Sequence, residues 1–159
     1  MSDVRRIVTT HDQEGKAVVW MDGSAPNVKR PNDHIISTLL WSTDTSPADF
    51  ADEFDGGSRI LGTAPPACGS RFIMFEVLPG GRGHFHHTDS LDYVIGVEGE
   101  MVMLLDDSEI VLNPGDVVVQ RGTNHGWVNR GDVTARVAII LLDGKPKRED
   151  SVSGAVTAR

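Results

Sequence analysis

The chain has 159 residues, of which 39% are apolar and 24% charged, with a formal net charge of −8 and one cysteine. That size and composition fit one folded domain with a core and exclude a disordered chain. The acidic balance argues against nucleic acid or an anionic membrane surface as partner, and a lone Cys68 excludes an intrachain disulfide.

Seventeen glycines and eight prolines, with few helix-favouring runs, point to many short strands joined by turns. No apolar leader follows the first residues, and the longest purely apolar run, 137–142, is too short to span a bilayer. A cytoplasmic location is the expectation.

In chain order, 4–10 and 17–22 pattern as strands around the turn formers Asp12, Gln13, Glu14 and Gly15, which predicts a β-hairpin. A further strand is expected at 35–42. The stretch 43–59 is rich in Asp, Ser and Gly and reads as a loop with one helical turn at 47–54. From Arg71 onward apolar segments recur at short intervals: 71–78, 83–88, 93–97, 100–105, 109–112, 117–120, 125–129 and 136–142. The separators, such as Pro79-Gly80-Gly81 and Asn113-Pro114-Gly115, are turn formers. Even spacing of short strands predicts an all-β sandwich or closed barrel. The polar tail at 144–159 is expected to be mobile. The chain thus divides into an N-terminal hairpin, strand and loops at 1–69, a barrel core at 70–142 and a tail at 143–159. Cys68, in a Pro- and Gly-rich stretch with nothing to lower its pKa, reads as a loop or packing cysteine.

Four of the six histidines fall in the barrel segment: His84, His86 and His87 after a glycine turn, and His125 about forty residues later. On a strand His84, His86 and Thr88 share one face and His87 points the other way. Residues two apart on one face lie about 6.6 Å apart. Two imidazoles at that spacing can converge on one ion, with a third ligand from another strand.

These residues resemble the cupin superfamily. Its first motif is matched in spacing by Gly80, His86, Thr88, Asp92 and Gly99, with Thr88 in place of a second histidine and Asp92 in place of glutamate. Its second motif is matched by Gly122, His125 and Asn129, with Gln120 where proline is usual and one residue fewer after Gly115. The resemblance covers about 70–142. The finer pattern around Thr88–Tyr93 and Val119–His125 resembles a subgroup of short stand-alone bacterial and fungal cupins, some of whose fungal members sit among polyketide-pathway genes.

The resemblance implies a jelly-roll β-barrel with an N-terminal β-hairpin extension and His86, Asp92 and His125 as ligands of a divalent metal ion: iron, manganese, nickel or zinc. Asp92 instead accepts a hydrogen bond from His125 in an alternative arrangement. His84 is the candidate replacement for the missing ligand. Thr88, Gln120 and Trp127 are candidate substrate contacts, although Trp127 suits the core equally. Tyr93 is expected to point out of the barrel.

The first functional expectation is a metal-assisted enzyme acting on a small oxygenated organic molecule. His84 or Asp92 would move a proton in an isomerisation, dehydration or decarboxylation, or the reaction would be an oxygenation if the ion is iron. The second is a non-catalytic small-molecule binder with a degenerate metal site. A sugar-nucleotide epimerase type is disfavoured by the acidic composition. The resemblance also implies a homodimer with N-terminal strands crossing to a neighbour.

Overall fold

The computed structural model describes residues 3–51 and 53–146, so most of the tail segment lies outside the described residues. Among the described residues, eleven strands are arranged in chain order: β1 (Arg5–His11), β2 (Ala17–Ser24), β3 (Asn27–Asn32), β4 (Ile35–Thr43), β5 (Ser70–Val77), β6 (Ser90–Glu98), β7 (Met101–Leu104), β8 (Glu109–Leu112), β9 (Val117–Arg121), β10 (Gly126–Val128) and β11 (Ala135–Asp143). A six-stranded antiparallel sheet runs β3-β4-β5-β11-β6-β9, a three-stranded sheet runs β10-β7-β8, and β1 and β2 form a separate hairpin. The described residues contain no helix, so the turn expected at 47–54 is not helical.

The core forms where the two sheets face each other. β6 shows the rule: Ser90, Asp92, Val94 and Gly96 are buried, while Tyr93, Ile95 and Val97 alternate with them on the exposed side. Leu39, Ile73, Val77, Val94, Val137, Ile139 and Leu141 of the large sheet pack with Met101, Met103, Leu112 and Trp127 of the small one. Each fully buried side chain of this kind is worth about 1.5–3 kcal/mol over its exposed state.

Two turns tie the sheets together. Asn113-Pro114-Gly115-Asp116 places proline and a positive-φ glycine (Gly115, φ 92°) where a tight turn needs them. It hydrogen-bonds onto β6 through Gly115 N–H to Gly96 O and Gly96 N–H to Asp116 O, both 2.9 Å. A Cβ at Gly96 would lie 2.2 Å from Asn113 O, so the approach requires glycine. Asn129 is buried and donates from Nδ2 to Val77 O (2.7 Å) and Val133 O (2.8 Å), while its Oδ1 accepts from Gly131 N–H (2.8 Å). The motif asparagine is therefore a structural clamp.

The sequence reading did not include β3. Its residues, Asn27-Val28-Lys29-Arg30-Pro31-Asn32, lack apolar alternation, and Pro31 is tolerated because β3 is an edge strand. The loop before β5 folds over β4: Ser42 Oγ donates to Gly56 O (2.7 Å) and Asn27 Nδ2 donates to Arg59 O (2.6 Å). Arg6 of the hairpin forks onto Asp55 (2.6 and 2.8 Å) and reaches Leu40 O (3.2 Å), which anchors β1 to its own barrel.

The segment 83–88 is not a regular strand. It carries two isolated bridges, Arg82 to Val128 and His86 to His125. Between these bridges the chain advances four residues on one side (82 to 86) and three on the other (125 to 128). One residue is therefore extra, as in a β-bulge, and the simple alternation of faces fails.

Candidate functional site

A cavity of about 280 Å³ lies between the sheets, at the small end of ligand-pocket sizes. His86, Thr88, Asp92, Gln120, His125 and Trp127 line one part of it, and Ile73, Phe75, Val94, Ile139 and Leu141 supply an apolar wall. The two motif segments meet directly: His86 N–H donates to His125 O (2.9 Å) and His125 N–H to His86 O (2.8 Å). That pairing sets the imidazole centroids 4.5 Å apart. Trp127 packs edge-on against His125 at 5.8 Å.

Both rings are oriented by carbonyls. Nδ1 of His86 lies 3.0 Å from His84 O, and Nδ1 of His125 lies 3.0 Å from Thr123 O. A carbonyl only accepts, so Nδ1 carries a proton in each ring, and in a neutral imidazole so held the lone pair is on Nε2. Gln120 also meets His125 Nδ1, through Nε2 at 2.9 Å, while its Oε1 is buried without a partner. Two donors cannot share that contact. Turning the amide places Oε1 on the Nδ1 proton, satisfies the orphaned oxygen and leaves the NH2 group as a donor among the pocket-lining atoms.

Burial, first, holds the His125 imidazole below its ordinary pKa, opposed by the Thr123 hydrogen bond and reinforced by the nearby His86 and His87. Burial also raises the Asp92 carboxyl, against the Ser90 hydroxyl and His86, which both lower it. Ser90 Oγ donates to Asp92 Oδ1 at 2.6 Å.

The donor chemistry suits a divalent metal: two adjacent imidazoles with Nδ1 engaged on carbonyl oxygens, which leaves Nε2 as the ligating atom, next to a carboxylate. The set is not closed, since among the described residues no three His, Cys, Asp or Glu side chains stand together in a metal-holding group. Asp92 is engaged by Ser90 instead.

His84 is exposed and absent from the cavity lining, because the bulge breaks the alternation that would have aligned it with His86. Its contribution is its carbonyl oxygen, which holds the His86 ring. Tyr93 does point outward.

The motifs gave no indication of the rest of the lining: Lys29, Pro31, Ser37, Leu61, Thr63 and Arg71, all from chain preceding them. The one available signal was Arg71, a charge next to the apolar run 72–75 of β5.

The cupin-domain family pattern matches residues 73–142. The chain is 35% identical to the phomopsin biosynthesis cluster protein C′ of Diaporthe leptostromiformis, across 96% of this chain and 85% of that protein. It is 30% identical to the cupin-domain-containing oxidoreductase fogC of Aspergillus ruber, across 90% of this chain and 74% of that protein. Among solved structures, KdgF from Halomonas sp. superposes with a TM-score of 0.51 at 16% identity, covering 79% of this chain and 90% of that one, which speaks to the fold alone. With the cupin-domain pattern over 73–142, a cupin-domain relative at 30% identity across 90% of this chain, and the two motif histidines bridged to each other, this chain belongs to the cupin family.

Proposed function

We propose that this cupin is a metal-dependent enzyme of the oxidoreductase type acting on a small oxygenated organic molecule. The observation that carries the reading is the His86–His125 pair, both rings held at Nδ1 by backbone carbonyls, on the wall of a small, largely apolar cavity. Its relative fogC is named as an oxidoreductase. His86 and His125 would hold the ion, with Asp92 as the available carboxylate. The ion supplies Lewis-acid polarisation of a substrate oxygen and, if it is iron, one-electron reactivity.

The chain's own groups do the rest. The apolar wall excludes water and receives a flat or aliphatic substrate body. Asp92, whose carboxyl is raised by burial, is suited to hold or pass a proton. Gln120 fixes the His125 tautomer.

A second reading, a non-catalytic binder, is favoured by the engagement of Asp92 with Ser90 and by Thr88 standing at a ligand position. The test is turnover. Protein loaded in parallel with iron, manganese, nickel or zinc is incubated with small β-dicarbonyl and phenolic compounds and followed by mass spectrometry. The enzyme reading expects product with one metal, reduced more than about 100-fold in His125→Ala. Saturable binding with no product under any metal would favour the binder.

We further propose a homodimer in the cytoplasm. Tyr93, Ile95 and Val97 on β6 and Val117 and Val119 on β9 form an exposed apolar face of the kind that a second copy covers.

A further inference from the structure

The large sheet lays four polar or apolar side chains in one row across the cavity. Arg71 of β5 is opposite Leu141 of β11, Leu141 is opposite Asp92 of β6, and Asp92 is opposite Gln120 of β9. All four line the cavity. With neighbouring strands about 4.8 Å apart, the Arg71 backbone stands about 10 Å from that of Asp92. One guanidinium and one histidine–carboxylate group therefore occupy different parts of a single pocket, with Leu141 between them and Ile73, Ile139 and Val94 in the adjacent row.

Arg71 is the buried arginine among the described residues. Arg5, Arg6, Arg59, Arg130 and Arg136 each pair with a carboxylate, and Arg30, Arg82 and Arg121 are exposed to solvent. Arg71 is only 7% exposed, gives one hydrogen bond from Nη1 to Thr63 O (2.5 Å) and leaves Nε buried without a partner. Burial is the cause acting on its pKa, which is lowered, and no described carboxylate offsets it. A buried unpaired charge is costly to the fold and is retained where a ligand completes it. Lys29 lines the same region, with Nζ on Leu61 O, so this part of the cavity is cationic in an acidic protein.

We propose that Arg71 is the anion-binding subsite of this cavity, and that the ligand carries a carboxylate which the guanidinium fork engages while its oxygenated end lies toward His86 and His125. The proposal rests on the cavity being the working site, but not on the metal or on turnover. Lys29 adds attraction at the same end. A carboxylate matches the planar N–H fork, and a small monoacid suits a cavity of about 280 Å³.

Matched probes test it: benzoate against benzamide, and 3-phenylpropionate against its amide, by calorimetry and thermal shift on the full chain. The expectation is that an acid binds about tenfold or more tightly than its amide. In Arg71→Met the preference falls to about twofold or less, with the melting temperature unchanged or raised because a buried unpaired charge is gone. In His125→Ala the acid preference persists, which separates this subsite from the metal reading. If neither acid binds, if acid and amide bind equally, or if the preference survives in Arg71→Met, the proposal is overturned. A large fall in melting temperature in Arg71→Met, with the acid preference kept in Arg71→Ala, would make the arginine structural and equally overturn it.

Discussion

Nδ1 of His125 meets both Thr123 O and the Gln120 amide, and that double contact decides the state of the ring. With Nδ1 protonated and the ring buried, imidazolium formation is disfavoured in the folded protein. The sign follows for metal-stripped protein. A histidine whose folded pKa is depressed contributes stability that is present above its unfolded value, near 6.5, and is lost as pH falls through the lower folded value. Acid titration of the metal-free protein should therefore show a fall in stability beginning near pH 6.5, steeper by up to about 1.4 kcal/mol per pH unit than in His125→Gln. Identical acid limbs for the two proteins would show that His125 is not held neutral. At this scale His86, Asp92, Gln120, His125 and Trp127 were legible in the sequence, because motif spacing reports residues that a shared fold brings to one place. His84 was misplaced because a one-residue bulge is invisible to period-two reasoning. Arg71 was not singled out because β5 has apolar residues on both faces, so its inward side was unmarked.

Among elements, the segments from β5 to β11 were largely legible because alternation and Pro/Gly turns reinforce one another. β3 was not, since an edge strand needs little apolar content and tolerates Pro31. The links between elements are held by specific polar contacts and close approaches. Asn129 satisfies the buried Val77 carbonyl, the part-buried Val133 carbonyl and one backbone N–H at once. Asn129→Ala should cost about 2–4 kcal/mol in denaturant unfolding, from two orphaned carbonyls and one orphaned donor. Gly96→Ala should cost at least as much, because its Cβ must displace the Asn113 carbonyl. A loss under 1 kcal/mol in either variant would mean that the turn moves away without consequence.

On the scale of the whole molecule, the outer face of β6 and β9 is the feature a solitary barrel does not account for. Register pairs Tyr93 with Val119 and Ile95 with Val117, so the exposed side chains form one contiguous patch rather than scattered singles. Val119→Asp should leave the monomer's fold intact, since the side chain is exposed there, and should shift light-scattering mass from dimer to monomer at micromolar concentration. A wild-type protein that is already monomeric under those conditions would contradict the dimer. The hairpin had been expected to cross to a neighbour; in the single chain Arg6 anchors it to Asp55 and Leu40 of its own barrel.

The claim that the two bridged histidines form a metal centre is tested most directly by metal content. Untagged protein and His125→Ala are measured side by side by inductively coupled plasma mass spectrometry, as purified and after reconstitution with iron, manganese, nickel and zinc. Near-stoichiometric metal in the wild type that is lost in the variant is the predicted result. Wild-type protein that retains no metal after every reconstitution, or a variant that retains as much as the wild type, would contradict it.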